Sequence, residues 1–315
     1  MWFKNLTGFD EISPEYVREH LLVDRMHIVS KVNSKSFQYG VLQVPTLNEL
    51  KARAPSISAY TDSICVSEVV ADIQQIHRNT ANSNALIQAA SQFNLLEMTS
   101  PHVTPEQGVD GYEHDFTQGP ACAIACGAGT IYRNYFVQVN GQSGQSAANQ
   151  VDCLELIGTE LGNNEFQFWK MSNGYALLGQ EGLLKINSML AKATEECKEA
   201  LKGKLKVGIQ WQTEVTLSNE RQVVSQIYCS ALPVAYTNIE SIYWERFARL
   251  ILEATYEATL YAALINFEKT GSSKVFPTLV GGGVFGNDMP WIIDSIAMAI
   301  SKFRYTPLDV KMKLK

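Results

Sequence analysis

A short apolar strand, Lys274-Val-Phe-Pro-Thr-Leu-Val280, runs directly into Gly281-Gly-Gly-Val-Phe-Gly-Asn287 and then into a helix, Met289–Phe303. Three successive glycines let a backbone turn sharply at a strand end and approach a ligand, because no Cβ restricts φ or fills the space. The free N–H groups of such a loop, with a helix N-terminus behind it, can hold an anion without Lys or Arg. A plain tight turn is the alternative. The segment has neither the GxGxxG spacing nor the Lys-Ser/Thr ending of a P-loop.

The same strand-then-helix order recurs along the chain and predicts an α/β sheet covered by helices. Helical spacing marks Pro14–Leu22, and His27–Val32 and Ser36–Val44 alternate like strands. Pro45-Thr-Leu-Asn-Glu-Leu opens a helix with Thr46 as its cap. Further on come strand Leu86–Ala90, an Ala/Cys/Gly-rich helix Gly119–Gly129 and strand Tyr135–Val139. Two helices, Ala147–Leu161 and Gly182–Leu201, flank the aromatic strand-like run Phe166–Leu178. Strands Val207–Leu217 and Val223–Leu232 precede a long amphipathic helix, Ile239–Phe267, and Leu308–Leu314 closes the chain as a strand. The expected organisation is an N-terminal α/β extension, residues 1–62, and one α/β domain, 63–315, carrying an insertion at about 140–205.

Composition narrows the function. With 32 acidic against 26 basic side chains the net charge is −6, which argues against non-specific nucleic-acid binding through neutralised phosphates. An anionic ligand has to be held locally, by backbone N–H groups or a few placed side chains. No signal-peptide pattern opens the chain, and Glu253 and Glu257 interrupt the best apolar stretch, so no membrane association is expected. Six cysteines show no CxxC pair and no zinc spacing, and Cys122 and Cys126 read as packing residues on one helix face. A cytoplasmic location, or delivery to a host cytosol, and the absence of a resident metal are the expectations.

A second loop gives the glycine loop a context. Ala85-Leu-Ile-Gln-Ala-Ala-Ser-Gln-Phe-Asn94 is followed by Thr104-Pro-Glu-Gln-Gly-Val-Asp-Gly-Tyr-Glu-His-Asp115. Together the two loops resemble those of the ADP-ribose-binding macrodomain superfamily. In chain order, Val70-Ala-Asp-Ile73, Gly208–Leu217, Ile227-Tyr-Cys-Ser-Ala-Leu-Pro, helix Leu250–Phe267 and Phe276-Pro277 also look like family segments. The resemblance runs from about Ile64 to Arg304. It departs where Pro105-Glu106-Gln107-Gly108 replaces the first loop's triple glycine, and where Ala90-Ser91-x-x-Asn94 looks more like the glycohydrolase-type microbial branch. It implies a three-layer αβα fold with a mixed central sheet, a helical and strand insertion and a short N-terminal extension.

The resemblance also implies roles. Asp72, beside Ile73, would hold the adenine, unless it merely caps a helix. Asn94, with Ser91 as alternate, would meet the distal ribose; either could cap a turn instead. Gly108 and Val109 would face the phosphates opposite Gly281, Gly282, Gly283, Val284, Gly286 and Asn287, with Phe285 covering the distal ribose. The acidic run Glu106, Asp110, Glu113, Asp115 is the expected catalytic group. A carboxylate can stabilise positive charge at an anomeric carbon and activate water, and Asp110 matches the family's water-activating aspartate. Acids also simply favour helix N-termini, and His114 reads equally as a surface residue. The acidic loop favours a cationic leaving group such as arginine. That pattern looks like the branch of Legionella effector-type ADP-ribosyl-ubiquitin (arginine) hydrolases, with ubiquitin as a possible protein partner.

The expected activity is therefore hydrolysis of ADP-ribose from a modified protein, with ADP-ribose as ligand and product and no cofactor. Paired carboxylates could bind Mg²⁺ through water. The rivals are a non-catalytic ADP-ribose reader and an enzyme acting on a free ADP-ribose derivative. The insertion, with Phe166, Phe168 and Trp169, could dock a protein or cover the sheet.

Overall fold

The computed structural model describes residues 1–313; Leu314, the end of the expected last strand, lies outside the described residues. The chain opens with α1 (Trp2–Thr7) and α2 (Pro14–His20), then a small antiparallel sheet of β1 (Leu21–Asp24), β2 (His27–Ser30) and β3 (Ser36–Gln38). The expected strand Ser36–Val44 is broken at Gly40, where φ is +78° and a Cβ would stand 1.9 Å from the Trp211 carbonyl. β4 (Val41–Gln43) thereby leaves the small sheet and joins the large one. α3 (Leu47–Arg53) starts at Thr46, which forms a reciprocal capping box with Glu49.

The next elements are β5 (Cys65–Val69), α4 (Ile73–Arg78) and β6 (Leu86–Ala90). The expected helix Gly119–Gly129 is two helices, α5 (Gln118–Ala125) and α6 (Gly127–Tyr135), parted at Cys126 by a non-helical backbone. A two-residue ribbon, β7 (Gln138–Val139) and β8 (Gln142–Ser143), leads into the insertion. There α7 (Glu155–Leu161) precedes a hairpin of β9 (Trp169–Ser172) and β10 (Tyr175–Leu178), whose turn residues Asn173 and Gly174 both have positive φ. The expected helix Gly182–Leu201 is likewise two, α8 (Gln180–Lys192) and α9 (Glu195–Lys202), because Thr194 caps the second. The chain then runs through β11 (Gly208–Glu214), β12 (Val223–Cys229), α10 (Glu245–Thr270), β13 (Lys274–Phe276), α11 (Met289–Lys302) and β14 (Asp309–Lys313).

Seven strands form one mixed sheet in the order β4-β11-β12-β6-β13-β14-β5. β12, β6, β13, β14 and β5 are parallel, and β11 runs against both its neighbours. Alternate side chains on these strands reach opposite helical layers. Gln88 on β6 and Ser225 on β12 bond Thr259 and Asn266 of α10, whereas Gln226 bonds His77 of α4 and the Cys122 carbonyl of α5. The fold is thus α/β with helices on both faces. From the N-terminal 62 residues, β4 extends the sheet and α3 packs on α10. α1, α2 and β1–β2 build a second apolar cluster with α6 and residues Val109 and Tyr112. Among the described residues no helix is long and apolar enough to cross a membrane.

Candidate active site

Open parallel sheets present ligand sites at the carboxyl ends of their strands. Here a cleft of about 130 Å³ opens past the ends of β12, β6 and β13, lined by Ala231, by Ala90–Gln92 and by Thr278–Gly281. Its opening has a local cause. β13 stops at Phe276, and the next N–H on the β6 side, that of Thr278, donates to the Gln88 side-chain Oε1 at 2.9 Å, leaving the last backbone groups of β6 without a strand partner on that side. The side chain of Gln118, at the start of α5, takes their place. Its Oε1 accepts from the Ala90 N–H at 2.8 Å and its Nε2 donates to the Gln88 carbonyl at 2.7 Å. The sheet is closed on that edge by an amide instead of a strand, and Thr117, Gln118 and Gly119 become one wall of the cleft.

The opposite wall is the glycine loop. Gly281 and Gly286 have φ of +79° and +69°, so glycine is required there by backbone geometry. Gly282 turns back onto the Leu279 carbonyl, Gly286 packs on Ala235, and Asn287 donates to the Leu232 carbonyl at 2.8 Å. These residues shape the loop. Gly281, Gly283, Val284 and Phe285 line the cleft. Among the described residues the N–H groups of Gly283, Val284 and Phe285 have no hydrogen-bond acceptor, so three consecutive donors stand free, as in an anion-binding nest. Phe285 is pinned from behind by Tyr175 and Tyr236, with ring centroids 5.3 and 5.5 Å away.

The floor holds a carboxyl that sequence reasoning missed. Glu97 is 4% exposed and lines the cleft. Its Oε1 is buried with no hydrogen-bond partner among the described residues, and its Oε2 fills the space a Cβ on Gly119 would enter. Burial pushes its pKa well above the usual carboxylate range, and the nearby Asp115 charge adds to this against the opposing pull of Arg133. The turn that presents it is tightly wound. Gln92 N–H bonds the Leu96 carbonyl, Gln92 Oε1 accepts from Met98 N–H at 2.8 Å, and Glu97 N–H donates to Tyr112 Oη at 2.9 Å. Leu95, buried and non-glycine, sits at φ +66°, a strained conformation that tends to collect at functional sites. The signal in the sequence was a lone acid in the apolar run Phe93-Asn-Leu-Leu-Glu-Met98.

The insertion braces the floor and the glycine-loop wall. Tyr175 of β10 donates to the Met98 carbonyl at 2.6 Å while its ring supports Phe285. Phe93 N–H bonds the Gly174 carbonyl, and Trp169 packs on Phe247 of α10. Trp169 is therefore core, and Phe166 is exposed.

The expected site residues separate into two groups. Ser91 lines the cleft, but Asn94 lies wholly buried beneath it, donating to Gln150 Oε1 at 2.8 Å. Asp72 caps α4, accepting from Gln74 and Gln75 N–H, and Ile73 is in the core. Asp72 follows β5 and so stands at the same end of the sheet as the cleft, and α4 touches α5 through Gln74 and the Ala121 carbonyl.

The acidic loop is not at the cleft. Gly108 and Val109 face inward to the N-terminal segment. The N–H groups of Val109 and Asp110, expected near phosphates, donate to the carboxylate of Glu11 at 2.8 and 2.7 Å, and Tyr135 donates to its other oxygen at 2.6 Å. Asp110 accepts from Phe3 N–H, Glu113 from Trp2 N–H, and Glu106 from Ala147 N–H. Asp115 accepts from both the N–H and the hydroxyl of Thr117; of the four acids it alone adjoins a residue of the cleft wall. His114 is exposed. The acidic run thus has a structural task, tying the N-terminal helices and the insertion to the domain. Among the described residues no group of three or more His, Cys, Asp or Glu side chains is placed to hold a metal ion.

No protein-family model matches the sequence, and no curated protein matches it. Solved structures do resemble the fold. Poly(ADP-ribose) glycohydrolase from Thermomonospora curvata superposes with a TM-score of 0.45 at 12% identity, over 95% of this chain and 90% of that one. The Deinococcus radiodurans poly(ADP-ribose) glycohydrolase in complex with ADP-ribose gives 0.41 at 11% identity, over 86% of each chain. Both TM-scores lie below 0.5.

Proposed function

We propose that the chain binds ADP-ribose and hydrolyses a glycosidic bond at its terminal ribose. One observation carries the reading: a buried carboxyl with one oxygen unpaired lines a cleft opposite a loop offering three consecutive free N–H groups. A nest of donors suits a diphosphate in a chain whose net charge is −6. The cleft has room for a sugar-sized group, so the nucleoside end lies outside it, along the carboxyl edge of the sheet toward Asp72. No cofactor is required.

Glu97 supplies the chemistry. Its proton passes to the leaving atom as the bond to the anomeric carbon breaks, water adds to that carbon, and the proton released from the water returns to the Glu97 carboxylate. A carboxyl with a raised pKa can carry a proton near neutral pH in both directions. The narrower proposal, arginine-linked ADP-ribose on a protein such as ubiquitin, keeps Asp115 as its support; Glu106, Asp110 and Glu113 are engaged elsewhere.

The test is calorimetry with ADP-ribose, followed by mass spectrometry of release from arginine-, glutamate- and serine-linked substrates, on wild type and Glu97→Gln. Binding by both proteins with release by wild type alone is the expected result. Binding without release by wild type makes the chain a reader, and absence of binding overturns the proposal.

A further inference from the structure

Beneath the turn that carries Glu97 lies an arginine with unusual surroundings. Arg133 of α6 is 1% exposed. Its Nε donates to the Leu95 carbonyl at 3.1 Å, one Nη to Thr130 Oγ1 at 3.0 Å and the other to Gln210 Oε1 at 3.5 Å. Its guanidinium carbon lies 3.6 Å from the centre of the Tyr228 ring. All three acceptors are neutral. A buried cation held only by neutral groups is costly unless some acid shares its field, and the acid that lines the cleft two residues beyond Leu95 is Glu97.

We propose that Arg133 is a positioning residue for this reaction: it pins the strained Leu95–Glu97 turn through the Leu95 carbonyl and sets a buried positive charge beneath that turn. The proposal rests on Glu97 as the proton carrier. It accounts for how a non-glycine residue is kept at φ +66°, since the Leu95 carbonyl is anchored by a rigid planar donor that cannot lose its charge. It also explains the placement of a full charge where a neutral side chain would serve for packing alone. Other groups share the field. Asp115 ahead of α5, Tyr112 below the turn, Cys122 on α5, Tyr175 on β10 and Tyr228 on β12 all interact electrostatically with Glu97. Arg133 opposes the effect of burial on Glu97, Tyr112, Cys122 and Tyr228 alike.

The experiment uses the full chain and two variants. Arg133→Met removes the charge and keeps much of the volume; Arg133→Lys keeps the charge and loses the fork. The titration midpoint of the Glu97 carboxyl is read by carbon-13 NMR, with Glu97→Gln assigning the signal, beside the pH profile of kcat/KM. In Arg133→Met the midpoint moves up by about one pH unit or more, and the matching limb of the pH profile moves with it. In Arg133→Lys the midpoint stays while kcat falls about ten- to a hundredfold, because a point charge cannot hold the turn as the fork does. An unmoved midpoint in folded Arg133→Met overturns the proposal. If that variant does not fold, Arg133→Lys with wild-type kcat and KM overturns it instead. Should the wild type release no ADP-ribose from any substrate, the functional reading fails while the Glu97 titration still decides the role of the charge.

Discussion

Two loops of this chain carry the same ingredients, backbone N–H groups beside acidic side chains, and the fold uses them oppositely. In Gly108–Asp115 Glu11 fills the Val109 and Asp110 donors, and Asp110, Glu113 and Asp115 each accept at least one hydrogen bond from within the chain. Across the Glu97 cleft the donors of Gly283, Val284 and Phe285 and the Glu97 Oε1 have no partner among the described residues. Polar groups satisfied from within the chain stabilise; polar groups left unsatisfied at a cleft are available to a ligand. What separates a clasp from a site here is saturation, which motif content does not report.

The comparison can be broken in order of expected effect. Glu97→Gln should lower the rate of release by about 10²–10⁴-fold, the usual range for a general acid–base group, with ADP-ribose affinity by calorimetry nearly unchanged; a rate within threefold of wild type would move the chemistry elsewhere. Glu11→Ala strands two N–H groups and the Tyr135 hydroxyl. It should destabilise the fold by about 2–3 kcal/mol in urea unfolding, as expected for lost hydrogen bonds to a charged group, while leaving ADP-ribose affinity of the folded protein alone. Altered affinity would mean that the acidic loop belongs to the site after all. Gly283→Ala sharpens the contrast from the other side. A Cβ there meets nothing within 4 Å and φ is not left-handed, so the melting temperature should hold while affinity falls about tenfold, roughly 1.4 kcal/mol, if that space is the ligand's.

The smallest effect is in the pH dependence of stability. Unfolded Glu97 ionises near its ordinary value of 4.5, whereas burial keeps the folded carboxyl protonated to higher pH. Between those values the folded state binds more protons, so stability falls as pH rises, and it is complete below 4.5. Glu97→Gln should therefore flatten this decline and raise the melting temperature at pH 7 more than at pH 4. Burial also raises Glu11 and Asp110, so part of the slope should persist. An unchanged slope in Glu97→Gln would show that the carboxyl is already ionised in the folded protein.

Much of the fold was legible in the residues. Thr46 announced the start of α3, and the strands expected at Leu86–Ala90 and Val223–Leu232 became parallel neighbours at the centre of the sheet, the second ending at Cys229. Long periodic runs declare themselves because burial of one face repeats at a fixed spacing. The breaks were less visible. Cys126 splits α5 from α6, and Thr194 splits α8 from α9, through single backbone or capping choices inside continuous helical patterns. The glycine loop was found because its glycines are locally required, and four of its residues do line the cleft. Ser91 was placed there too, and Asn94 was not, since three residues suffice to turn the chain from the cleft into the interior.

By itself the sequence determined the strand and helix alternation, the glycine loop at a strand end and a charge balance that requires an anion to be held by backbone. These are properties of local spacing and composition. Only the tertiary structure decided which acids are free. Glu11 reaches Val109 across 98 positions and Arg133 reaches Leu95 across 38. Whether a carboxylate is saturated by such a distant partner, or left alone in a cleft like Glu97, depends on contacts that no local pattern encodes.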